Sequence, residues 1–120
     1  MILVLYKLSI KERMILMFKI YGSIKCPDCR NCKLNFDLYN IEYEFIEVLD
    51  SLKNLKTFLH YRDNNKDVFD RLIKIGDIGL PAIVDENDKV FTDWEKYLND
   101  LGKEIIYETK ESCSITGKGC

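Results

Sequence analysis

Cys26-Pro27-Asp28-Cys29 constrains this chain more than any other stretch of it. The four residues follow a short apolar run, Phe18-Lys19-Ile20-Tyr21, and open a segment with helical periodicity. The pattern predicts a strand that turns into a helix with two cysteines at the helix start. Pro27 fits the first helical position, where its missing N–H costs no hydrogen bond. The N–H groups of a helix start are unpaired and carry partial positive charge. They favour a thiolate on Cys26, the nucleophilic form of cysteine. Lys25 stands beside it and adds positive potential. Such surroundings lower a thiol pKa from ~8.5 to roughly 3.5–7.5. Cys29, three residues on, returns to the same helix face and can close on Cys26. A buried, inert cysteine pair is the competing reading.

The rest of the composition narrows the chemistry. A chain of 120 residues, 47% apolar and 32% charged, suits one globular domain. Its 18 basic residues face 20 acidic ones, which gives no field for a nucleic-acid backbone or anionic lipid. The expectation is no nucleic acid and no membrane partner. Five cysteines are many for this length. Their odd number, with no signal peptide, argues against an extracellular disulfide framework and for a cytoplasmic protein with redox or metal-binding thiols. The apolar run Ile2–Tyr6 is too short for a signal sequence and is followed by Lys7 and Lys11-Glu12-Arg13. Residues 1–16 therefore read as an extension outside the fold, with an extra edge strand or helix as the rival. Residues 17–102 read as the domain and 103–120 as a cysteine-bearing tail.

Periodicity orders the domain. Phe18–Tyr21 is the first strand; Cys29, Cys32, Phe36 and Tyr39 mark the buried face of a helix that stops at Asn40. Glu42–Val48 alternates as a strand. Ser51 caps a helix with a Leu52, Leu55, Leu59 stripe, which breaks at Asp63-Asn64-Asn65, resumes at Val68, Phe69, Leu72 and Ile73, and ends at Gly76. Leu80–Val84 and Lys89–Phe91 form a hairpin. Thr92 and Glu95 fit a capping box before a last helix that ends at Gly102. Ile105–Tyr107 reads as a short strand. The order β-α-β-α-β-β-α predicts an α/β fold, a mixed four-stranded sheet with helices on both faces.

These residues resemble glutaredoxin, a branch of the thioredoxin-like fold. The Cys-Pro-x-Cys motif at a strand-to-helix junction carries the likeness, together with Gly79-Leu80-Pro81-Ala82, placed like the family's cis-proline turn. The likeness covers roughly residues 17–101. The Cys-Pro-Asp-Cys-x-x-Cys run and the tail are similar to a bacterial glutaredoxin-related subgroup. The resemblance implies a cytoplasmic, monomeric thiol–disulfide oxidoreductase acting in electron transport and cell redox homeostasis. It implies Cys26 as nucleophile, Cys29 as resolving thiol, disulfide-containing proteins as substrates, and no tightly bound cofactor or metal. Glutathione or another low-molecular-weight thiol would donate electrons, held near Lys25, Pro27, Leu80, Pro81, Thr92 and Asp93. It further implies that Leu80 pairs its backbone with a substrate strand. Three departures stand against the pattern: the long stretch Asp50–Gly79, Phe91-Thr92 in place of a Gly-Gly turn, and the tail ending at Cys120.

Other residues keep two readings. Glutathione could resolve the mixed disulfide in place of Cys29. Cys32 is a core residue or a third thiol. Asp28 steadies the helix start yet opposes a nearby thiolate. His60 reads as a surface residue, Trp94 as helix–sheet packing. Cys113 and Cys120 are accessory redox thiols or plain solvent cysteines. A thiolate metal or iron–sulfur module built on Cys26, Cys29, Cys32 and a tail cysteine, or a redox-sensing regulator, stands as the alternative function.

Overall fold

A computed structural model describes residues 17–108. The expected extension 1–16 and the tail cysteines Cys113 and Cys120 lie outside the described residues. Alternation of side chains sets the sheet. In β1 (Phe18–Gly22) Phe18 and Ile20 point to one face and Tyr21 to the other. β1 pairs in parallel with β2 (Tyr43–Glu47), Phe18 opposite Tyr43 and Gly22 opposite Glu47. On its other side it pairs antiparallel with β3 (Ala82–Val84), which pairs antiparallel with β4 (Val90–Phe91). The strand order is β2-β1-β3-β4, so β1 is interior and carries the motif at its C-terminal end.

Helices cover both faces. α1 (Pro27–Leu38) crosses over between the parallel strands and buries Cys32 and Phe36 against Phe18, Ile20 and Ile83, with Trp94 and Leu98 of α4 (Trp94–Asp100) completing that core. The opposite core joins Tyr21, Ala82, Val84 and Val90 to Phe58 of α2 (Leu52–Asp63) and Phe69 of α3 (Lys66–Lys74). Each buried Val, Ile, Leu or Phe among them contributes about 1.5–3 kcal/mol by leaving water. Among the described residues no helix is long and apolar enough to cross a membrane.

Among the described residues the architecture is therefore α/β with a mixed four-stranded sheet and four helices. The sequence order counted one helix between β2 and β3, and the structure has two. Asn64 and Asn65 separate them: their amides donate to the carbonyls of His60 (2.8 Å) and Tyr61 (2.7 Å), acceptors that a continued helix would use. Leu52 belongs to the expected stripe but is 73% exposed, and Phe58 is the buried residue of α2. Ser51 does cap α2, accepting from Asn54 N–H at 3.1 Å. The cap of α4 is Asp93, not Thr92. Its carboxylate takes the Lys96 N–H at 3.0 Å, and Glu95 turns away to accept from the Tyr107 hydroxyl.

Ile105–Tyr107 is not a strand, because its partners are side chains of α1. The Tyr39 hydroxyl donates to Glu104 C=O. Asn35, fully buried, donates to Ile106 C=O (2.6 Å) and accepts from Ile106 N–H (2.8 Å). Asn31 accepts from Glu108 N–H at 2.8 Å. Residues 104–108 thus run antiparallel to α1, toward its N-terminus.

Candidate active site

Cys26 is the N-cap of α1, with extended backbone (φ −94°, ψ 119°), and Pro27 follows at the first turn. Its N–H donates to Ser23 C=O at 3.0 Å and its C=O accepts from Arg30 N–H at 3.1 Å, so the residue is fixed from both sides. It is half-buried, while Cys29 and Cys32 are completely so. A hydrogen bond from the Cys29 thiol is the main reason that the Cys26 pKa falls from 9.0 to about 6. Partial burial works against this, and the backbone N–H groups of Cys29 and Asp28 add to it. Donating that bond, and being buried, pushes Cys29 far up. The pair therefore holds a thiolate at the rim and a protonated thiol beneath it. Burial likewise pushes Cys32 up, with its side chain in the core beside Phe36.

Gly22 makes room for this pair. A Cβ there would meet Cys29 Sγ at 2.8 Å, closer than any side chain tolerates. The loop between Gly22 and Cys26 is also held at Ile24, whose N–H donates to Glu47 Oε1 and whose C=O accepts from Arg30 Nη1, both at 2.8 Å. Glu47 also accepts from Leu49 N–H at 3.1 Å. Arg30 in turn forks onto the Glu108 carboxylate, with contacts of 2.8, 3.0 and 3.2 Å. Desolvation pushes the Glu47 carboxyl up, but the Ile24 and Leu49 N–H donors outweigh it and hold the group below the usual carboxylate range, with the exposed Lys25 adding the least. The lowering of Cys26 comes from thiol and backbone donors.

Asp28 accepts from Trp94 Nε1 at 3.1 Å, which ties the motif to α4 and gives the buried indole its polar partner. Crowding by protein raises its carboxyl pKa against that bond, and Glu95, Asp77 and Asp93 raise it further. Its charge opposes the Cys26 thiolate. Pro81 is buried, and the Leu80–Pro81 peptide is cis. Gly79, at φ +101°, lies against the Phe69 ring, which a Cβ would meet at 2.8 Å. Among the described residues Leu80 N–H and C=O have no hydrogen-bond partner. Thr92 and Asp93 line a separate cleft of about 330 Å³ with Asp67, Val68, Arg71 and Phe91. Arg71 is its cation. His60 is exposed and faces Asn64.

The structure thus joins Cys26, Cys29 and Pro27 at one helix start, while Thr92 and Asp93 line a cleft with Arg71, and Asp93 also acts on Asp28 within the motif. Among the described residues no three His, Cys, Asp or Glu side chains gather as a metal-holding set. Sequence reasoning missed Gly22, Arg30, Asn35, Glu47 and Glu108. Asn35 alone left a local trace, a polar residue beside the apolar stripe of α1. The others matter through contacts far apart in sequence.

A protein of Haemophilus influenzae (strain ATCC 51907 / DSM 11121 / KW20 / Rd) named "Uncharacterized protein" is 34% identical to the chain over 71 residues, 59% of this chain and 81% of that protein. The chain belongs to the same family as that protein. No family model matches the chain, and no solved structure does.

Proposed function

We propose that this chain is a cytoplasmic, glutaredoxin-like thiol–disulfide oxidoreductase with a thioredoxin-like fold. One observation carries the reading: a half-buried Cys26 poised as thiolate near pH 6 by the buried Cys29 thiol and by helix-start N–H groups. Cys26 Sγ attacks a substrate disulfide, forms a mixed disulfide and releases one substrate thiolate. Cys29 then attacks Cys26 Sγ, its proton passing to the second substrate thiolate as that leaves. The substrate is reduced and Cys26–Cys29 is oxidised. Two molecules of a low-molecular-weight thiol such as glutathione return the two electrons: the first attacks Cys26 Sγ and frees Cys29, and the second releases the Cys26 thiolate and leaves as the low-molecular-weight disulfide.

The unpartnered Leu80 backbone supports an extended protein substrate laid beside the motif. The acidic group around Asp28 weighs against close seating of an anionic tripeptide there, and Arg71 offers a matching cation in the cleft that Thr92 and Asp93 line. Protein disulfides are therefore the favoured substrates, with glutathione as reductant.

Insulin and glutathione mixed-disulfide reduction by wild type, Cys26→Ser and Cys29→Ser tests this. Cys26→Ser should lose both activities; Cys29→Ser should lose insulin reduction and keep part of the mixed-disulfide activity. Equal activity of all three would sink the reading.

A further inference from the structure

The chain between β1 and α1 lies on the buried sulfur. A Cβ on Gly22 would meet Cys29 Sγ at 2.8 Å, so the main chain itself passes over Cys29. Three consecutive peptide groups make that passage. In the first, Gly22 C=O accepts from Val48 N–H at 2.9 Å. In the second, Ser23 C=O accepts from Cys26 N–H at 3.0 Å, and Ile24 N–H donates to Glu47 Oε1 at 2.8 Å. In the third, Ile24 C=O accepts from Arg30 Nη1 at 2.8 Å, and Lys25 N–H donates to Ser23 Oγ at 3.1 Å. Five of the six polar groups are thus taken up in holding the loop. The sixth, the N–H of the buried Ser23, faces Cys29 Sγ. The bond to Cys26 and burial raise the Cys29 thiol, and Ser23 N–H is the influence that lowers it. The two sulfurs therefore draw on different donors. Cys26 has the Cys29 thiol and the start of α1; Cys29 has the loop.

We propose that Glu47 and Arg30 are positioning residues, which clamp the loop at Ile24 so that Ser23 N–H meets the charge on Cys29 Sγ whenever the Cys26–Cys29 bond opens. This rests on the oxidoreductase reading and adds to it the group that assists the leaving sulfur. When a small thiolate attacks Cys26 Sγ, a new S–S bond forms there and the Cys26–Cys29 bond breaks. Cys29 leaves with the bonding pair and afterwards takes a proton from solvent. A second thiolate then frees Cys26 as thiolate and departs in the small disulfide. A sulfur leaves faster the lower its pKa. Cys29 leaves into a site with no exposed surface, and the Asp28 charge opposes it, so a donor already in place matters most at this sulfur. Both arms of the clamp are themselves held. Glu47 ends β2 opposite Gly22 in register and accepts from Leu49 N–H at 3.1 Å with its other oxygen. Arg30 rises from α1 and is fixed by its fork onto Glu108. Side chains locked on a strand and a helix hold a loop more closely than the loop holds itself.

The test times the opening of the Cys26–Cys29 disulfide in the oxidised full chain, with dithiothreitol as the attacking thiol, by acid quench and peptide mapping. Glu47→Ala and Arg30→Ala should each slow opening roughly tenfold. The alkylation midpoint of Cys26 in the reduced variants should stay at about 6, because its own donors are untouched. Glu47→Gln keeps an acceptor for Ile24 N–H and Arg30→Lys keeps a cationic donor for Ile24 C=O; both should return to within about threefold of wild type. Arg30→Ala, on the half-buried side of α1, serves if Glu47→Ala unfolds. Unchanged opening rates in the alanine variants would overturn the clamp. So would slow opening matched by an upward shift of the Cys26 midpoint, which would place the effect on the nucleophile. Insulin reduction by wild type and Cys26→Ser separates the failures. If it depends on Cys26 while opening is unchanged, the clamp falls and the oxidoreductase reading stands. If it does not depend on Cys26, both fall.

Discussion

At Cys26 one hydrogen bond serves two residues, because the Cys29 thiol that donates it steadies the thiolate and keeps its own proton. Alkylation of the reduced chain should follow a titration centred at about 6. In Cys29→Ala the midpoint should move up toward 9, since the largest lowering influence is gone. The same ionisation shapes stability. Cys26 binds fewer protons folded than unfolded between pH 6 and 9, so the stability of the reduced chain should rise with pH across that window. Above 9 the sign reverses: Cys29 and Cys32 ionise when unfolded but stay protonated when folded, and stability is lost. Urea midpoints of wild type and Cys26→Ser from pH 5 to 10 check this, and the rise should vanish in the variant. Gly22→Ala drives a methyl into Cys29 Sγ and should cost about 1–3 kcal/mol, with slower disulfide closure measured by fluorescence. The place of Cys26 at a helix start was legible from four consecutive residues, since helix-start geometry is local. The need for Gly22 was not, because its neighbour lies seven positions away on another element.

The elements followed their patterns wherever local physics decides them. β1, α1 and the Ser51 cap came from alternation, apolar spacing and a cap residue. The misses fall where competing local partners or distant contacts win. Asp93 outcompeted Thr92 as the cap of α4 because it reaches Lys96 N–H. The segment 104–108 has strand-like residues, but its partner is a row of helix side chains that no strand pattern encodes. Asn35 is the centre of that row. Asn35→Leu leaves both Ile106 backbone groups unpaired and should cost about 1–3 kcal/mol for each group that stays buried. Hydrogen exchange at Ile106 and Glu108 should accelerate together while β1 amides stay protected; a uniform change would mean that the segment is not an independent unit.

Across the whole molecule, the interior strand β1 separates two cores that share a sheet and few side chains. Phe36 and Phe69 sit on opposite faces, each with no exposed surface. Phe36→Leu and Phe69→Leu should each destabilise the chain, and their effects should add to within about 0.5 kcal/mol in a double-mutant cycle. A larger coupling would mean that the sheet transmits packing from face to face. The layered plan was readable from element order, because a strand–helix–strand unit followed by a hairpin leaves few arrangements. Which cleft holds Thr92 and Asp93 was not, since only the folded sheet sets them beside Arg71.

The direction of residues 104–108 also bears on how the protein is handled at the bench. A purification handle joined directly after Glu108 would begin beside Arg30, about one turn along α1 from Cys26, where bulk or histidines would crowd the sulfurs. Met17 opens onto the far end of β1, about 13 Å of strand away from Gly22, so a fusion joined directly at Met17 begins at the end of the strand away from the sulfurs.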